Sequence, residues 1–486
     1  MVPTLTRRSF IATTALTAAS LGLPRGAGAA THASMLLTAT SRTLDIDGRA
    51  ATVWGLVNAQ GGLGLTLDPG ARFRVDLTNA LDEDTIIHWH GQIPPNAQDG
   101  VPDIPLPMLK PGEVRAFDFE PTPGTYWMHS HVPVQEMQLL AAPLIVRSAA
   151  DLAADRQEVV LFLHDFSFRP AAEVLAEITG GDGSMAGMDM GAATPAPDPM
   201  AEMDMGGMGG MAGMAMDLND FNFDAYLAND RTLNDPEVVK VENGGRVRLR
   251  IINAAAATVF WIDTGALNGR LVAVDGQDVQ PLPGRRFGLA MGQRLDIEMD
   301  LPKGEGAFPV LALREGAVER TGIILATPGA TIEKLAGTGE TAAAAFDSDL
   351  SREASLRAMT PLAERPADIS EILMLGGTMQ PYLWTINGQT FGNHTPIAAR
   401  AGQRVELTFH NMSMMAHPMH LHGHTFQVVA INGKRFSGAM RDTVQVPPQA
   451  MITVAVNAGE AARWMLHCHH MPHLSTGMMT EFAVSA

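Results

Sequence analysis

Four pairs of histidines, each separated by one residue, are the part of this sequence best suited to chemistry. The pairs are His88 and His90, His129 and His131, His420 and His422, and His467 and His469. Because residues i and i+2 of a strand point to the same face, each pair presents two imidazoles side by side, as binding one metal ion or bridging a cluster requires. A single pair is equally typical of surface histidines. Eight converging imidazoles would repel one another if protonated and would bury unsatisfied nitrogens without a metal, so the four pairs together predict a metal cluster.

A second candidate centre surrounds Cys468, the single cysteine of the chain. His473 follows it by five residues, and His417 lies upstream beside another of the histidine pairs. Two imidazoles and one thiolate form the trigonal site of blue copper, with a distant thioether as weak axial ligand. Met478 is the candidate for that ligand, and a core methionine is the alternative. In a strand, the Cys468 thiolate points away from the histidines on either side, so it can hold one metal while they hold others.

The composition agrees with a metal protein and excludes several other classes. The chain has 486 residues, 46% of them apolar, which is enough for sizeable cores. Its 52 acidic and 34 basic residues give a net charge of −18, which argues against nucleic-acid binding and stable membrane association. One cysteine excludes internal disulfides, zinc ribbons and iron–sulfur clusters. The 30 Met and 16 His residues favour a late transition metal.

An internal repeat predicts the elements that position these ligands. Residues 70–79, 244–253 and 402–411 share Gly at the first position, Arg at the third and Asn at the tenth, with apolar residues at the fourth, sixth and eighth. Strict alternation predicts a strand with one buried face. The copies lie a domain's length apart, so an all-β chain of three related β-sandwich domains is predicted, with chance recurrence of a common pattern as the alternative.

The residues that follow each repeat predict where the metal binds. Nine residues after the repeat asparagine come His88 in the first copy and His420 in the third, whereas the second copy has Ile262. The first and third domains therefore carry matching ligand strands. The middle domain has the framework without the ligands and is predicted to act as a spacer.

The first thirty residues are typical of an export signal. Arg7 and Arg8 precede an apolar run at 11–23 and an Ala-x-Ala cleavage site at 27–29, an arrangement that resembles a twin-arginine signal peptide. The run is too short to span a bilayer of about 30 Å, although a retained anchor is the alternative. The interpretation implies the twin-arginine export machinery as a partner and a periplasmic or exported mature protein.

A methionine-rich insertion at 180–217 is a candidate for Cu(I) capture, because thioether sulfur favours Cu(I) over hard cations. The methionines concerned are Met185, Met188, Met190, Met200, Met203, Met205, Met208, Met211, Met214 and Met216. The alternative is a flexible linker that happens to be rich in methionine. Met414 and Met415, just upstream of His417, are candidates for an entry point to the second centre, with core packing as their alternative.

The sequence resembles the multicopper oxidases, the family of laccases, bilirubin oxidases and periplasmic cuprous oxidases. The resemblance runs from about residue 40 to the end and rests on HWHG at 88–91, HSH at 129–131, HPMHLHG at 417–423 and HCHHMPHLSTGM at 467–478. It implies three cupredoxin-like Greek-key β-sandwich domains and a reaction that takes four single electrons from a reductant and reduces dioxygen to two waters.

The resemblance also implies four copper ions and the role of each ligand. His417, Cys468 and His473 would bind type 1 copper with Met478 axial, and His88 and His420 would bind type 2 copper. The type 3 pair would be held by His90, His129, His131, His422, His467 and His469.

Two positions concern the protons that oxygen reduction needs. Asp99 lies where similar enzymes place an acid beside the type 2 copper and would relay protons; an Asp-Gly turn residue is the equal alternative. Bacterial cuprous oxidases commonly carry Glu directly after the last type 1 histidine, but this chain has Leu474 there. The proton path to the type 3 pair is therefore left without a candidate.

The expected organisation is a first domain at 35–148, a second at 157–330 that contains the insertion, a linker at 331–365 and a third domain at 366–486, in a monomer. Three functions compete. The first is an oxidase of Cu(I), of phenolic substrates or of both, with a role in copper tolerance. The second is a laccase whose main donors are phenols or aromatic amines, oxidised at the exposed edge of His473 or His417. The third is an exported copper-sequestering protein, and the first two do not exclude each other. A two-domain copper nitrite reductase fits poorly, because the repeat occurs three times.

Overall fold

The structure is a computed structural model that describes residues 34–181, 218–346 and 349–486. The predicted signal peptide at 1–30 and all ten methionines of the insertion lie outside the described residues. Within the described ranges, no helix is both long enough and apolar enough to cross a membrane. The chain there is built mainly of strands, which confirms the all-β prediction.

The first sandwich packs a sheet of order β2-β1-β4-β6 against one of order β3-β8-β7-β5. Its strands are β1 (Met35–Ile46), β2 (Arg49–Asn58), β3 (Leu65–Leu67), β4 (Phe73–Asn79), β5 (Ile87–His88), β6 (Val114–Phe119), β7 (Gly124–Ser130) and β8 (Ala141–Val146). A 3₁₀ turn (Asn96–Gln98) and two short helices, α1 (Pro133–Met137) and α2 (Ala149–Ala153), complete this part.

The second sandwich has sheets of order β10-β9-β12-β17-β14-β15 and β11-β19-β18-β13-β16. Its strands are β9 (Gln157–Phe166), β10 (Ala225–Ala228), β11 (Val238–Lys240), β12 (Arg246–Asn253), β13 (Phe260–Asp263), β14 (Gly269–Val274), β15 (Gln277–Gly284), β16 (Arg286–Leu289), β17 (Arg294–Asp300), β18 (Ala307–Arg314) and β19 (Arg320–Ala326). Helix α3 (Ala171–Thr179) follows β9, and α4 (Ser351–Ser355) follows the sandwich.

The third sandwich has sheets of order β21-β20-β23-β29-β25-β26, with β27 beside β25, and β22-β31-β30-β24-β28. Its strands are β20 (Ile369–Met379), β21 (Tyr382–Ile386), β22 (Ile397–Arg400), β23 (Arg404–Asn411), β24 (His417–Leu421), β25 (Phe426–Ile431), β26 (Lys434–Arg435), β27 (Met440–Arg441), β28 (Thr443–Val446), β29 (Met451–Asn457), β30 (Arg463–Cys468) and β31 (Met479–Ser485). Helix α5 (Met471–Ser475) lies between β30 and β31.

The three repeats form the equivalent strands β4, β12 and β23. Each pairs in parallel with the first strand of its sandwich and antiparallel with a later one. The repeat asparagines Asn79, Asn253 and Asn411 are fully buried, and each side-chain amide donates to carbonyls of two or more following segments. Each Oδ1 also accepts the N–H two residues on. The asparagine thus closes the turn that leads to the next strand, because it satisfies backbone groups that the turn leaves unpaired.

An apolar cluster fills each sandwich, and the buried residues alternate along the strands as period two requires. The segment expected as a linker, 331–365, packs along the second sandwich in its described part. Ala343 bridges to Glu315, Thr338 to Glu319 and Ala358 to Val279.

Candidate metal centres

The register of two strand pairs sets the predicted histidines opposite one another. Strands β5 and β7 pair His88 with His129, and strands β24 and β30 pair His420 with His467. Both pairs of strands belong to the second sheet of their sandwich, at equivalent positions. Period two then carries the second histidine of each motif to the same face.

The eight histidines of the four pairs converge in the protein interior. Three groups have ligand nitrogens within 4.8 Å of one another: His88, His90 and His420; His90, His129 and His469; and His131, His422 and His467. The first and third sandwiches contribute to each group, which agrees with the shared site predicted from the repeats. The closest approaches are 3.0 Å from His422 Nε2 to His467 Nε2 and 3.5 Å from His88 Nε2 to His420 Nε2.

Hydrogen bonds at the far ring nitrogens orient several of these imidazoles. Nδ1 of His88 lies 2.8 Å from the Asp99 carbonyl, and Nδ1 of His420 lies 2.9 Å from the Asp442 carbonyl. His129 Nδ1 likewise faces the carbonyl of the following residue at 2.9 Å. A carbonyl accepts only from N–H, so each Nε2 is left as a free lone pair for a metal.

The nitrogens that face inward fit a metal cluster and little else. His90 Nδ1, His129 Nε2, His131 Nε2 and both ring nitrogens of His469 are buried with no hydrogen-bond partner among the described residues. The pKa of each of these four rings lies well below its ordinary value. Burial is the largest cause, and the charge of a neighbouring imidazole is the second. Neutral imidazoles with unpaired inward lone pairs are costly unless cations bind them.

The three residues predicted for the second centre lie close together. His417 Nδ1 and His473 Nδ1 are 3.1 Å apart, and Cys468 Sγ lies 3.7 and 3.5 Å from them. All three residues are fully buried, and burial raises the pKa of the Cys468 thiol. A thiolate at this depth therefore needs a bound cation. The Ser413 hydroxyl, 2.8 Å from His417 Nε2, orients that ring.

Met478 is fully buried in the apolar cluster that also contains Cys468. Its carbonyl accepts the Cys468 N–H at 3.0 Å, and its own N–H donates to the His473 carbonyl at 3.0 Å. The backbone of Met478 is therefore tied to two of the three residues of the second centre.

The prediction that a substrate meets an exposed edge of His473 or His417 is wrong, because both residues are 0% exposed. The Trp384 ring lies 4.1 Å from the His473 ring, and the His470 ring stacks on the His473 ring at 3.9 Å and 20°. Asp220 Oδ2 lies 3.8 Å from His473 Nε2. His470 is only three residues from His473, but Trp384 and Asp220 come from segments distant in sequence, so no local pattern indicated those two.

Comparisons with known proteins identify the family. Three family profiles, each described as multicopper oxidase, match residues 38–151, 195–327 and 364–486. Multicopper oxidase MmcO of Mycobacterium tuberculosis is 30% identical over 468 residues, which cover 93% of this chain and 87% of that protein. The chain belongs to the multicopper oxidase family.

Other relatives and solved structures agree. Copper resistance protein A of Escherichia coli is 25% identical over 536 residues, with 85% of this chain and 86% of that protein covered. The crystal structure of laccase from Botrytis aclada has a TM-score of 0.70 at 21% identity, and covers 92% of this chain and 87% of its own. The crystal structure of Fet3p, a multicopper oxidase that functions in iron import, has a TM-score of 0.72 at 16% identity and covers 92% of this chain and 90% of its own.

The multicopper oxidase is thus a copper-dependent oxidoreductase that uses dioxygen as electron acceptor and oxidises Cu(I) or phenolic donors. Its sandwiches are cupredoxin-like, and its cofactor is copper, four ions in all. The buried histidine groups and the His–Cys–His centre supply nitrogen and sulfur donors of the kind copper binds.

Acidic side chains adjoin the histidine cluster of the oxidase at two further points. Asp99 both ends the 3₁₀ turn and contacts two histidines, with Oδ2 at 2.8 Å from His422 Nδ1 and Oδ1 at 3.4 Å from His88 Nδ1. Glu136, on α1, was not predicted: its Oε2 lies 2.7 Å from His129 Nδ1 and its Oε1 lies 3.9 Å from His469 Nδ1.

Glu136 is an unusual carboxyl group for its position. It is 1% exposed, and burial, with the charge of Asp165 second, raises its pKa well above the ordinary value. Leu474, at the position where bacterial cuprous oxidases commonly carry a glutamate, is buried in a small apolar cluster. The carboxyl group of Glu136, in the first sandwich, therefore lies beside His129 and His469 of the histidine cluster. The only feature of the sequence that could have indicated Glu136 is its position five residues after His131.

The two methionines upstream of His417 have different surroundings. Met415 is 4% exposed and lies in the apolar cluster of the third sandwich, which agrees with the packing alternative. It also lines a small cavity beside the second centre. Met414 is half-buried and does not line that cavity.

Proposed function

We propose that the ligand roles implied by the family apply to this chain residue by residue. His417, Cys468 and His473 hold the type 1 copper with Met478 axial, and His88 and His420 hold the type 2 copper. The type 3 pair is held by His90, His129, His131, His422, His467 and His469. The unpartnered inward nitrogens and the short distances between ligand atoms support this assignment.

The observation that carries the proposal is the position of Cys468 in β30. Its Sγ faces the His417 and His473 nitrogens, while the adjacent His467 and His469 belong to the histidine cluster. The two centres are therefore joined by a few covalent bonds of one strand. Bound copper would supply one-electron redox chemistry at the second centre, around Cys468, and dioxygen reduction at the histidine cluster.

The chain's own residues exclude water and hold protons. Full burial of the ligands keeps the cluster in a low-dielectric interior, where misplaced charge is costly. We assign Asp99 and Glu136 as the carboxyl groups that hold protons beside the cluster. Asp99 faces His422 and His88, and Glu136 faces His129. Water formation consumes four protons for each dioxygen, so groups at both positions are chemically reasonable donors.

The physiological donor we propose is Cu(I), with a role in copper tolerance. The burial of His417 and His473 prevents an organic molecule from touching either ring directly. The net charge of −18 favours a cation as substrate. The thioethers of the methionine-rich insertion favour a soft cation such as Cu(I). Phenol oxidation is the second candidate, which the likeness to proteins named laccases supports; sequestration of copper is the third.

Oxygen uptake by the copper-loaded protein, with Cu(I) in one cell and a simple phenol in another, decides between these donors. Faster uptake with Cu(I) supports copper detoxification, and faster uptake with the phenol makes the protein a laccase. No uptake with either donor at full copper loading would favour sequestration. Replacement of Cys468 by Ser should remove the blue colour and the oxidase activity while the far-UV circular dichroism is kept; retained blue absorption would contradict the type 1 assignment.

We further propose that residues 1–30 are a twin-arginine signal, recognised by that export machinery, and that the mature protein is a periplasmic or exported monomer. The paired arginines and the short apolar run support the signal. The domain limits proposed are 35–148, 157–330 and 366–486. Mass spectrometry of the secreted protein tests the cleavage near residue 29, and its solution mass tests the monomer.

A further inference from the structure

A row of two methionines and one histidine crosses the outer face of the third sandwich. In the sheet of order β21-β20-β23-β29-β25-β26, Met374 of β20 is opposite His410 of β23, and His410 is opposite Met451 of β29. Side chains directly opposite each other on adjacent strands have Cβ atoms about 4.5–5.5 Å apart. The imidazole of His410 is therefore flanked by two thioethers, each close enough to share a ligand with it.

The neighbouring residues of these strands show that the row lies on the outer face and not in the core. Phe409 and Ile452, which alternate with the row, are 0% exposed and belong to the apolar cluster of the sandwich. The hydroxyls of Thr408 and Thr453, two residues along the strands from His410 and its partner, lie 2.9 Å apart. Since side chains two residues apart share a face, the row stands on the same outer face as this hydroxyl pair.

Two asparagines fix the backbone of the two methionines. Asn387 accepts the Met374 N–H at its Oδ1 and donates its own N–H to the Met374 carbonyl, both at 2.8 Å. Asn432 forms the same two hydrogen bonds with Met451, also at 2.8 Å. Asn387 and Asn432 have φ of 55° and 47°, a left-handed conformation that asparagine adopts more readily than most residues. The methionine backbones are thus held in place, while the flexible side chains let the sulfurs adjust to a ligand.

The imidazole of His410 is available to a ligand. Among the residues that the structure describes, none forms a hydrogen bond or an ion pair with this ring. A neutral imidazole carries one unprotonated nitrogen that can bind a metal ion. Met412 adds a third thioether at the edge of the row: it is 51% exposed, and its N–H continues the ladder by donating to the Leu375 carbonyl at 2.8 Å.

We propose that Met374, His410 and Met451 form a surface site for Cu(I) that is separate from both metal centres. Thioether and imidazole are soft or borderline ligands and favour Cu(I), whereas Ca²⁺ and Mg²⁺ require several oxygens. The strands β24 and β30, which carry proposed copper ligands, belong to the other sheet of this sandwich, and packed sheets lie about 10 Å apart. An ion in the row is therefore additional to the four coppers, and the inference does not depend on which donor the oxidase uses.

Silver(I) is the probe for the test, because it shares the charge and softness of Cu(I) but is not oxidised. Crystals of the copper-loaded enzyme are soaked in Ag⁺, and anomalous scattering locates the ion. We expect a peak beside His410 in the wild-type enzyme and none in Met374→Leu. The matched control is Met379→Leu, which should keep the peak. Met379 belongs to the same strand and is 41% exposed against 36% for Met374, but it lies outside the row.

Oxidation of individual methionines gives a second measurement, made in solution. Hydrogen peroxide converts exposed methionine to its sulfoxide, and mass spectrometry of peptides follows the reaction at each position of the copper-loaded enzyme. Oxidation of Met374 and Met451 should slow about 10-fold once free Ag⁺ is about ten times its Kd, because only the unbound fraction reacts. Met379 should react at an unchanged rate.

The variant His410→Ala tests the imidazole. It should raise the Ag⁺ concentration needed for protection at least as much as the loss of an outer partner of a metal ligand does, which is roughly 10- to 100-fold. A silver peak that persists in Met374→Leu would overturn the inference. Oxidation of Met374 and Met451 that Ag⁺ does not slow, or equal protection of Met379, would overturn it as well and leave the row as an exposed apolar face.

Discussion

Arg294 and Asp442 come from different sandwiches and form a doubly hydrogen-bonded ion pair in the protein interior. Arg294 Nη1 lies 2.7 Å from Asp442 Oδ1, Nη2 contacts Oδ2, and both side chains are 0% exposed. The same Oδ1 lies 3.3 Å from His90 Nε2 and 3.5 Å from His420 Nδ1. The second sandwich, interpreted from the sequence as a spacer, therefore positions two of the proposed copper ligands, His90 and His420, although it carries neither.

The backbone of the second sandwich reaches the same histidines. Gly292 has φ of 78°, and a side chain there would come within 2.9 Å of the His469 ring and 3.2 Å of the His90 ring. Close backbone approach of this kind requires glycine. The ligand cluster is therefore enclosed by all three sandwiches rather than two.

Replacing Arg294 by Met should disturb the type 2 copper, because it leaves Asp442 as an unpaired buried charge next to His90 and His420. Loss of one partner of a buried pair costs about 3–5 kcal/mol. We expect a lower midpoint of urea unfolding together with an altered type 2 EPR signal or loss of that copper.

Arg250→Met is the matched control for Arg294→Met. Arg250 is also a fully buried arginine of the second sandwich, but it pairs with Glu158 and Asp296 and contacts none of the predicted ligands. It should lose comparable stability and keep the type 2 signal. Equal changes of that signal in both variants would show that Arg294 acts only through overall stability.

Glu136→Gln should slow the reoxidation of the reduced enzyme. Gln has nearly the same shape but does not supply a proton beside His129, and general acids contribute about 100-fold or more to such steps. The measurement is stopped-flow return of the blue absorbance when the anaerobically reduced enzyme meets dioxygen, at several pH values. Asp99→Asn serves as the comparison at the other carboxyl group. Reoxidation at the wild-type rate in Glu136→Gln would mean that Glu136 only orients His129.

The histidines whose orientation follows from the alternation of side chains along a strand could be predicted from the sequence. A His-x-His pair in a strand needs only period two to share a face, and the repeat asparagine marks where the next ligand strand begins. His88 and His420 were therefore identified together with their partners His129 and His467.

The contacts that period two does not encode were not predicted. Arg294, Asp442 and Glu136 reach the histidines only because distant segments pack together, and no spacing in the sequence reports that packing. The stacking of His470 on His473 was not predicted either, because His470 lies beyond the end of β30, where strand alternation no longer applies.

Deleting residues 185–216 should lower Cu(I) turnover more than phenol turnover, because the ten thioethers are lost while the proposed copper ligands remain. Oxygen uptake with each donor measures the two rates. A variant in which the ten methionines are replaced by leucine at unchanged length separates the sulfur from the segment itself. If deletion lowers both rates equally, or if the leucine variant behaves as wild type, the segment is a lid or linker rather than a copper collector.

Glu315 should make the apoprotein less stable as the pH rises. Burial raises the pKa of this carboxyl group to about 7, so between its ordinary value and about 7 the folded protein binds a proton that the unfolded chain has released. Stability then falls with increasing pH across that window, by about 3 kcal/mol in full.

Glu315→Gln, which keeps an acceptor for the Phe346 N–H, should match the wild type in acid and exceed its urea midpoint at pH 8. Glu242→Gln, at an exposed carboxylate, is the control and should show no such gain. A Glu315→Gln variant that is no more stable than the wild type at pH 8 would mean that neighbouring groups stabilise the buried carboxylate in its ionised form.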